Sequence, residues 1–318
     1  MSLDELRALA DAIRAEVAKA IVGQDELVDQ MLVALVSEGH VLLEGPPGTA
    51  KTFLANSFST ALGLDFGRIQ FTPDLLPGDI LGSNLFNFQT STFTLTRGPI
   101  FCELLLADEI NRTPPKTQAA LLEAMQERRV TLDGETHQLP ERFMVVATQN
   151  PIENQGVYPL PEAQLDRFLF KLLVPYPDES EEARIVASYG KRQGPTSPAE
   201  LGVTAVADSA KLVAASGALD HVTVADEITQ YVVRLVRATR DHPELAVGAS
   251  PRAAVMLANA ARARAALAGR AYAIPDDVKA LAVPVLRHRL SLSPAAEIEG
   301  RDIEALVAEL VESTEAPR

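Results

Sequence analysis

The feature that most constrains how this chain can fold is a glycine- and proline-rich turn, Gly45-Pro46-Pro47-Gly48-Thr49-Ala50-Lys51-Thr52. It follows a short apolar run, Val41-Leu42-Leu43, that is typical of a buried parallel strand, and it opens a predicted helix. Backbone N–H groups of such a turn converge on a phosphate, and the helix N-terminus favours the negative charge. Lys51 would add positive charge at the β- and γ-phosphates, and the Thr52 hydroxyl is placed to ligate Mg²⁺. The sequence therefore predicts a binding site for nucleotide phosphates.

One position departs from the usual pattern of such turns, because Ala50 stands where a glycine is common. A methyl group there costs little if the backbone φ is negative, as it is at the start of a helix. The alternative interpretation is a Gly/Pro turn that is followed by a chance Lys-Thr pair. Strand, turn and helix occur in the order that phosphate binding requires, so this alternative is disfavoured.

A second candidate element is the apolar run Leu104-Leu105-Leu106-Ala107, which ends in Asp108 and Glu109. A buried strand that ends in two carboxylates is the Walker B arrangement, in which the first acid holds Mg²⁺ directly or through water. The second acid, Glu109, would orient and polarise the attacking water. A strand that simply ends at two surface acids is common, but the phosphate-binding turn upstream makes that alternative weak.

Three polar side chains further along the chain are candidates for completing the same site. Asn150 follows the fourth predicted strand, where it could hydrogen-bond the γ-phosphate or the attacking water, or simply occupy a turn. Arg167 stands just before the fifth predicted strand and could reach a neighbouring subunit's γ-phosphate. The alternative for Arg167 is a surface arginine that is paired with Asp166 or Glu162. Arg252 opens a later helix, where it could bring a second positive charge to the phosphates or be an ordinary first-turn arginine.

Short apolar runs alternate with helical patterns along the first half of the chain. This alternation predicts an α/β fold in which a five-stranded parallel sheet lies between helices. The predicted strands cover residues 41–43, 68–71, 104–107, 143–148 and 168–174. Helices are predicted from Leu3 to Val17, over 25–37, and over 115–127 with Thr113 as N-cap and Pro114 at the first helical position.

Two segments interrupt the alternation and predict inserts with β-hairpin character. The first covers residues 72–101, which are rich in Thr, Ser, Gly, Phe and Asn. The second, 129–139, contains Asp133-Gly134 between alternating residues, a strong signal for a tight hairpin turn. Beyond Pro177 the sequence turns Ala-rich, with helices predicted over 178–189, 225–240, 251–267, 275–289 and 301–312. We place a boundary near Pro177, between a core (1–177) and a small all-α domain (178–318).

The composition limits the classes of function. With 318 residues, 47% of them hydrophobic, the chain can bury a sizeable core. Its formal net charge of −14 makes nucleic acid an unlikely default partner, because phosphate neutralisation needs clustered Lys and Arg. The single cysteine, Cys102, lies in an apolar stretch and is expected to be a buried, unreactive thiol. No apolar run is long enough for a membrane span and the first residues lack a signal peptide's apolar core, so a cytoplasmic location is expected.

The order of these elements resembles that of AAA+ ATPases. A more specific stretch, similar to the MoxR family's signature around its Walker B strand, is Leu105-Leu106-Ala107-Asp108-Glu109-Ile110-Asn111-Arg112-Thr113-Pro114-Pro115-Lys116-Thr117-Gln118. Two further segments resemble MoxR motifs, namely Ala147-Thr148-Gln149-Asn150-Pro151 and Leu160-Pro161-Glu162-Ala163-Gln164-Leu165-Asp166-Arg167-Phe168. An alanine before the P-loop lysine also fits that family. The resemblance covers nearly the whole chain.

The resemblance implies a role for each candidate residue. The implied catalytic residues are Glu109 (Walker B glutamate), Asn150 (sensor 1), Arg167 (arginine finger) and Arg252 (sensor 2). The implied residues for ATP are Val22, Gly23, Gly45, Pro46, Pro47, Gly48, Thr49, Ala50, Lys51, Thr52, Phe53 and Asp108. Of these, Thr52 and Asp108 would also hold Mg²⁺, and Val22 and Gly23 belong to the segment that borders adenine in AAA+ proteins. The insert at 72–101 looks like the helix-2 insert and 129–139 like the pre-sensor-1 hairpin, both of which face a central pore in such assemblies.

The resemblance also implies assembly and partners. Members form homo-oligomers, usually hexameric rings, and act as chaperone-like ATPases, often with von Willebrand factor A proteins, on protein clients. Two alternatives stay open: a subunit like the ATPase of magnesium chelatase, and a DNA-remodelling motor. The predicted hairpin carries Asp133 and Glu135 and has no Lys or Arg at its tip, which weakens the DNA alternative. The sequence leaves open the client, the ring size and whether Arg252 serves its own subunit or a neighbour.

Overall fold

A computed structural model describes residues 1–87, 92–151, 157–190 and 196–317. The strands are β1 (Val41–Glu44), β2 (Phe66–Gln70), β3 (Gly82–Asn87), β4 (Thr92–Arg97), β5 (Leu104–Asp108), β6 (Arg129–Leu132), β7 (Glu135–Gln138), β8 (Met144–Gln149), β9 (Phe170–Leu173), β10 (Leu245–Val247) and β11 (Ser291–Leu292). The helices are α1 (Leu3–Val17), α2 (Asp25–Val36), α3 (Lys51–Leu62), α4 (Pro77–Leu81), α5 (Pro115–Glu127), α6 (Glu162–Leu165), α7 (Glu179–Tyr189), α8 (Ser209–Gly217), α9 (Asp226–Arg240), α10 (Pro251–Leu267), α11 (Pro275–Leu286), α12 (Pro294–Ile298) and α13 (Ile303–Ser313). Within these ranges, no helix combines the length and the apolar character that a membrane crossing needs.

A five-stranded parallel sheet forms the centre of the fold, in the order β2-β5-β8-β1-β9. This sheet, with helices around it, confirms the predicted α/β fold class, and its strands match the five predicted ones apart from small differences at their ends. Because all five strands are parallel, the turn after β1, the acids after β5 and the polar residues after β8 lie along one edge. We call this the carboxyl edge, and the edge at which the strands begin the amino edge.

Alternate side chains of the central strands pack on opposite faces of the sheet. In β5, Leu104 and Leu106 belong to one hydrophobic cluster, whereas Leu105 and Ala107 belong to another. The first cluster includes the buried face of α3, and the second includes that of α5. Both faces of the strand are therefore covered, which explains why its sequence is an uninterrupted apolar run.

The predicted range of one helix, 115–127, is correct, but its predicted N-cap is wrong. Helix α5 begins at Pro115, and Pro114 rather than Thr113 occupies the N-cap position. Thr113 is extended, and its hydroxyl donates to the carbonyl oxygen of Thr72 at 2.8 Å. The hydroxyl that the sequence assigned to a cap thus ties the start of α5 to the loop that follows β2.

The two predicted hairpins are confirmed. Strands β6 and β7 pair in antiparallel fashion, and both turn residues have positive φ, 49° at Asp133 and 87° at Gly134. Positive φ at both positions is the type I′ geometry that suits the twist of a hairpin, and glycine adopts it without steric cost. The insert contains helix α4 and the antiparallel pair β3–β4. The amide of Asn84 in β3 donates to the Asp133 carboxylate at 2.9 Å, so the two hairpins touch each other.

The region after β9 is mainly helical, and it packs on the first two helices of the chain. One hydrophobic cluster joins the buried faces of α1, α2 and α3 to those of α9, α10, α11 and α13. Helix α11 ends at Leu286, before the predicted residue 289, and α8, α12 and the β10–β11 pair were not predicted. The boundary proposed near Pro177 stays a prediction, because this continuous cluster does not itself mark a division of the chain.

A buried ion pair network holds α10 to α11. Asp277 is fully buried and accepts hydrogen bonds from Arg264 at 2.6 Å and from Arg270 at 2.6 and 2.8 Å. The same carboxylate accepts the backbone N–H of Ile274 at 3.0 Å. Two guanidinium groups and a backbone donor thus compensate the desolvation of this charge, which would be costly if it were unpaired.

A buried histidine connects β1 to the neighbouring strand and helix. The ring of His40 donates from Nε2 to the carbonyl oxygen of Met125 at 3.1 Å, and its Nδ1 accepts the N–H of Val145 at 3.0 Å. Burial lowers the pKa of His40 to about 4, because a charged ring would have to give up its hydration. Burial also lowers the pKa of His288, near the end of α11.

These two histidines predict a loss of stability in mild acid. Below the unfolded pKa of about 6.5 the unfolded chain takes up a proton at His40 that the folded chain does not, so stability is lost as the pH falls towards 4. For His40 alone, the free energy of unfolding should fall by about 2 kcal/mol between pH 7 and pH 5. Urea titrations at the two pH values measure this change.

Two variants make the assignment specific. His40→Gln should flatten the pH dependence, because the amide keeps a donor and an acceptor but does not titrate. His221→Gln replaces an exposed histidine and serves as the matched control. An equally steep pH dependence in the His40→Gln variant would contradict the assignment.

Candidate nucleotide-binding site

The predicted phosphate-binding turn, residues 45–52, joins β1 to α3 at the carboxyl edge. The Lys51 ammonium donates to the carbonyl oxygens of Gly45 and Pro46, both at 2.7 Å. Partial burial lowers the pKa of Lys51, and the nearby carboxylates of Asp108 and Glu109 act in the opposite direction. A Cβ on Gly45 would collide with the carbonyl oxygen of Val174, so only glycine fits where the turn passes the end of β9. The lysine therefore lies folded over its own turn, beside both acids.

Ala50 does not have the negative φ that would make its methyl group cheap. It lies in the left-handed region, with φ +60° and ψ 22°. For an L-residue this conformation costs about 1–2 kcal/mol relative to the right-handed one. A left-handed residue followed by the helical Lys51 makes successive backbone N–H groups converge on one point, which is how a turn forms a nest for an anion. The strain therefore accompanies the backbone shape that phosphate binding needs.

Asp108 lies at the end of β5, opposite the start of α3. Its carboxylate accepts hydrogen bonds from the hydroxyls of Thr52 at 3.1 Å and Thr148 at 2.7 Å. The Arg68 guanidinium in β2 also binds this carboxylate, with an N–O distance of 2.8 Å. Asp108 is only 7% exposed, so hydroxyls and a cation together compensate its burial.

The residues around Asp108 fit a magnesium ion. A carboxylate and a hydroxyl in hydrogen-bond contact are the kind of oxygen ligands that Mg²⁺ prefers, and the Arg68 contact shows that the position accepts positive charge. In the described residues, no group of three or more His, Cys, Asp or Glu side chains could hold a metal ion. Magnesium sites with only one or two protein ligands take the others from phosphates and water.

Glu109 directly follows β5 and has a left-handed backbone, with φ 58°. Its N–H donates to the Thr148 hydroxyl at 2.8 Å, which fixes the residue against β8. Its carboxylate accepts the amide of Gln70 at 2.6 Å and pairs with Arg112 at 3.2 Å. The side chain is thus held by neutral and cationic donors at the mouth of the site.

The structure shows contacts that the sequence did not predict. Arg68 and Gln70 lie two residues apart on β2 and bind Asp108 and Glu109, respectively. Thr148, in β8, binds Asp108 and the backbone of Glu109. A signal was present for Thr148, since a polar residue at the end of an apolar strand is unusual in a buried sheet.

Asn150 follows β8 at the same edge of the sheet as Glu109. It is buried, and its carbonyl oxygen accepts the side-chain amide of Asn111 at 3.5 Å. The register pairs Ala107 of β5 with Ala147 of β8, so the residues just beyond the two strands are neighbours. The structure therefore brings the predicted sensor residue to the same place as both acids.

A cavity of about 680 Å³ adjoins the phosphate-binding turn. The predicted binding positions that line it are Val22, Gly23, Gly48, Thr49, Ala50 and Phe53. Its wall also includes Tyr189 of α7 and Arg287, just after α11. The rings of Phe53 and Tyr189 meet edge to face, with centroids 6.4 Å apart. Apolar and aromatic side chains make up more of the wall than polar ones do, which suits a nucleotide base, and the region after residue 177 supplies part of the wall.

The two candidate arginines lie away from the phosphate-binding turn of their own chain. Arg167 precedes β9, whose first residue pairs with Val41, the first residue of β1, whereas the turn follows the last residue of β1. Arg252 is in the first turn of α10, and Met256, one turn later, contacts Arg289, which also binds the carbonyl oxygen of Phe168. Both arginines therefore belong to the amino edge.

The surface-pair alternative for Arg167 does not match the contacts. Asp166 pairs with Arg289 at 2.7 Å, and Glu162 accepts the hydroxyl of Ser291 at 2.6 Å. Within the described part of the chain, neither Arg167 nor Arg252 has a side-chain hydrogen bond or ion pair. These two guanidinium groups thus have no acceptor among the described residues.

Comparison with known proteins identifies the family. Residues 40–170 match the model for the ATPase family associated with various cellular activities (AAA), and residues 237–310 match the AAA lid domain. The chain is 46% identical to Chaperone MoxR1 of Mycobacterium tuberculosis over 95% of this chain and 81% of that protein. It is 30% identical to Protein MoxR of Methylorubrum extorquens over 99% of this chain and 97% of that protein. The chain belongs to the MoxR family of AAA+ ATPases.

A solved structure agrees with this assignment. The fold matches a candidate ATPase from Cytophaga hutchinsonii with a TM-score of 0.90 and 35% sequence identity, over 99% of this chain and 97% of that one. The resemblance inferred from the Walker B region is thereby confirmed at the level of the family. As a MoxR protein, the chain is a nucleotide-binding AAA+ ATPase of a chaperone-like family, with an AAA core and a helical lid.

Replacing the P-loop lysine tests the phosphate site. Lys51→Ala should weaken ATP binding at least about tenfold, because a charge-assisted contact to phosphate is lost in a partly buried site. Fluorescence titration with a labelled ATP measures the affinity. Lys116→Ala, which removes an exposed lysine of α5, is the matched control. Equal affinities for the Lys51→Ala and wild-type proteins would remove Lys51 from the phosphate site.

Removing Arg68 tests whether Asp108 accepts the magnesium ion. Arg68→Ala frees the Asp108 carboxylate from a competing cation, so the Mg²⁺ concentration that half-saturates ATP binding should fall by up to about fivefold. Calorimetric titration of Mg²⁺ into protein with ATP measures this concentration. Arg14→Ala removes a guanidinium that pairs with Asp11 and Asp29 outside the site, and should leave it unchanged. An unchanged or higher requirement in Arg68→Ala would count against competition at Asp108.

Proposed function

We propose that this MoxR protein hydrolyses ATP with Mg²⁺ in an oligomeric ring, and uses the reaction to remodel or mature protein complexes. The observation that carries the proposal is the division of the candidate residues between two edges of the sheet. Lys51, Thr52 and the two Walker B acids meet at the carboxyl edge, whereas Arg167 and Arg252 lie at the amino edge. Such a division leaves the site of one chain to be completed by another.

The carboxyl edge would bind the triphosphate and activate water. The backbone of residues 45–52 would bind the phosphates, with the Lys51 ammonium moving from its carbonyl acceptors to phosphate oxygens. Thr52 and Asp108 would hold Mg²⁺, which when bound would neutralise charge on the β- and γ-phosphates. Glu109 would orient the attacking water, and Asn150 would position the same water or the γ-phosphate. Water would attack the γ-phosphorus and give a proton to Glu109, the bond from that phosphorus to the oxygen shared with the β-phosphate would break, and ADP and inorganic phosphate would be released.

The contacts of Glu109 support its assignment as the group that handles water. Gln70 donates to its carboxylate and Arg112 pairs with it, so these two side chains hold the carboxylate in one position. The carboxylate is about one-third exposed, so water reaches it. Asp108 is instead buried and bound by two hydroxyls, an environment that suits a fixed ligand rather than a proton acceptor.

The amino edge would supply the arginine finger and the second arginine to a neighbouring subunit. Arg167 and Arg252 come from different parts of the chain but lie beside the same residue, Arg289. Arg289 binds the carbonyl oxygen of Phe168, next to Arg167, and contacts Met256, one turn along α10 from Arg252. An arginine delivered in trans to the γ-phosphate contributes on the order of 10³–10⁵ in rate to related hydrolases. We therefore propose that Arg252, like Arg167, acts in trans, in a homo-oligomeric ring that is hexameric by family resemblance. A heterologous interface of this kind forms a ring when the rotation between successive copies closes.

The output of the reaction would be movement of the hairpins against a protein client. The hairpins β3–β4 and β6–β7 touch through Asn84 and Asp133, so they would move together. A core of residues 1–177 and a lid of residues 178–318 would change their angle as the base cavity, which both parts line, responds to nucleotide. A von Willebrand factor A protein is the proposed partner on family grounds. Asp133 at the hairpin tip and the net charge of −14 favour a protein client over DNA, and no observation favours chelatase activity.

Mixed rings test the proposed completion in trans. Arg167→Ala and Glu109→Gln should each reduce ATP turnover by about 10²-fold or more, because each disables a different half of every site. In mixtures, some interfaces combine the intact carboxyl edge of an Arg167→Ala subunit with the intact Arg167 of a Glu109→Gln subunit. Turnover of the mixture should therefore exceed that of either variant alone.

Sedimentation of differently labelled subunits establishes that the two variants assemble together. A mixture of Lys116→Ala with Glu109→Gln shows how far turnover falls when active subunits are merely diluted by inactive ones. Turnover of a co-assembled mixture that stays at the level of the separate variants would refute the trans arrangement. Wild-type turnover by Glu109→Gln would remove Glu109 from the chemistry.

A further inference from the structure

The arginine after α11 makes an unusually dense set of contacts at the amino edge. Arg289 is 8% exposed, and its Nε donates to the Asp166 carboxylate at 2.7 Å. Its terminal nitrogens donate to the carbonyl oxygens of Asp166 at 3.1 Å, Phe168 at 2.5 Å and Leu169 at 3.2 Å. The ring of the adjacent His288 also donates to the Phe168 carbonyl oxygen, at 3.0 Å. The lid thus binds one short segment of the core through both side-chain and backbone acceptors.

That segment is the one that carries the proposed arginine finger. Asp166 and Phe168 are the two sequence neighbours of Arg167, and Arg289 binds both of them. With the residue before and the residue after held by the same guanidinium, the backbone of Arg167 has little freedom to rotate. Among the described residues, the Arg167 side chain itself has no hydrogen bond or ion pair.

The same guanidinium also reaches the helix of the second arginine. A terminal nitrogen of Arg289 lies 2.8 Å from the sulfur of Met256, one turn along α10 from Arg252. The planar guanidinium has five N–H donors in a fixed fork, so one residue can fix several acceptors at once, which a lysine cannot do. Arg289 is therefore in contact with the segments that carry both arginines of the amino edge.

We propose that Arg289 and Asp166 are positioning residues, which set the geometry of the Arg167 finger that one subunit presents to the ATP of the next. The inference rests on the proposed function, because it needs Arg167 to act in trans. It goes further by making the lid of one subunit responsible for catalysis at the neighbouring subunit's site. A displacement of about 1 Å in a catalytic group can cost on the order of 10²-fold in rate. Loss of the contacts between Arg289 and the segment that carries Arg167 should therefore slow ATP turnover measurably.

The test uses Asp166→Ala in the full-length, assembled protein. The variant removes the carboxylate but keeps the backbone carbonyl oxygens to which Arg289 donates, and it keeps Arg167 itself. We expect ATP turnover to fall about 10- to 100-fold while the affinity for a fluorescent ATP analogue changes less than about threefold, because only the transition-state contact is disturbed. The double variant Asp166→Ala/Arg167→Ala should be no slower than Arg167→Ala alone.

Mixing separates positioning from a general structural defect. Asp166→Ala subunits have an intact carboxyl edge, so their turnover should recover when they are co-assembled with Glu109→Gln subunits, which supply well-placed fingers. A defect within the subunit's own nucleotide site would not recover. Glu244→Ala is the matched control, because it removes a lid carboxylate that binds the Nε of Arg301 at 2.6 Å, and should leave turnover unchanged. If Asp166→Ala does not fold, Arg289→Lys tests the same point, since it keeps the charge and loses the fork.

The outcomes distinguish this inference from the function on which it rests. Each variant is mixed with Glu109→Gln, and co-assembly is verified. If ATP turnover recovers for Arg167→Ala but not for Asp166→Ala or Arg289→Lys, the positioning role alone is overturned. Wild-type turnover in both positioning variants overturns it as well. Failure of Arg167→Ala itself to recover overturns the trans finger and the positioning role together.

Discussion

The site depends on the carboxylate of Asp108 being held at the end of a fully buried strand. Desolvation makes a bare charge there expensive, and Thr52, Thr148 and Arg68 together compensate it. These three residues lie in α3, β8 and β2. The Asp108 carboxylate therefore connects α3, the helix after the P-loop, to the two strands that flank β5. The parallel order of the sheet makes this possible, because it brings the ends of β1, β5 and β8 to one edge. A stabilising network and a candidate magnesium site are therefore the same set of atoms.

Charges at the opposite edge follow a different rule. At the carboxyl edge, the acids and Lys51 are satisfied within the chain, and ligands would have to displace those internal partners. At the amino edge, Arg289 takes up the local acceptors, and Arg167 and Arg252 are left without one among the described residues. One edge thus has its charged groups paired within the chain, and the other has guanidinium donors without an acceptor among the described residues. We interpret these as the two halves of an interface between copies of the chain.

Much of this could be predicted from the sequence, because the informative patterns are local. The apolar runs before Gly45 and Asp108 are strands buried on both faces, and the Asp133-Gly134 pair is the expected turn. The alanine in the phosphate-binding turn could not be interpreted correctly, since its left-handed φ is imposed by the turn's closure and leaves no mark in composition. Thr113 could not be assigned either, because its acceptor, the Thr72 carbonyl, is distant in sequence. Arg68, Gln70 and Arg289 were missed for the same reason, as their partners are brought close only by the sheet order and by lid packing.

The most direct test of this account is a crystal structure of the Glu109→Gln variant grown with ATP and Mg²⁺. A triphosphate is expected on the turn of residues 45–52 and a metal ion bound by Thr52 and Asp108, with Lys51 released from the carbonyls of its own turn. Arg167 of an adjacent copy should approach the γ-phosphate. Nucleotide bound elsewhere, or a triphosphate on the turn with Arg68 still occupying Asp108 and no metal beside it, would contradict the account.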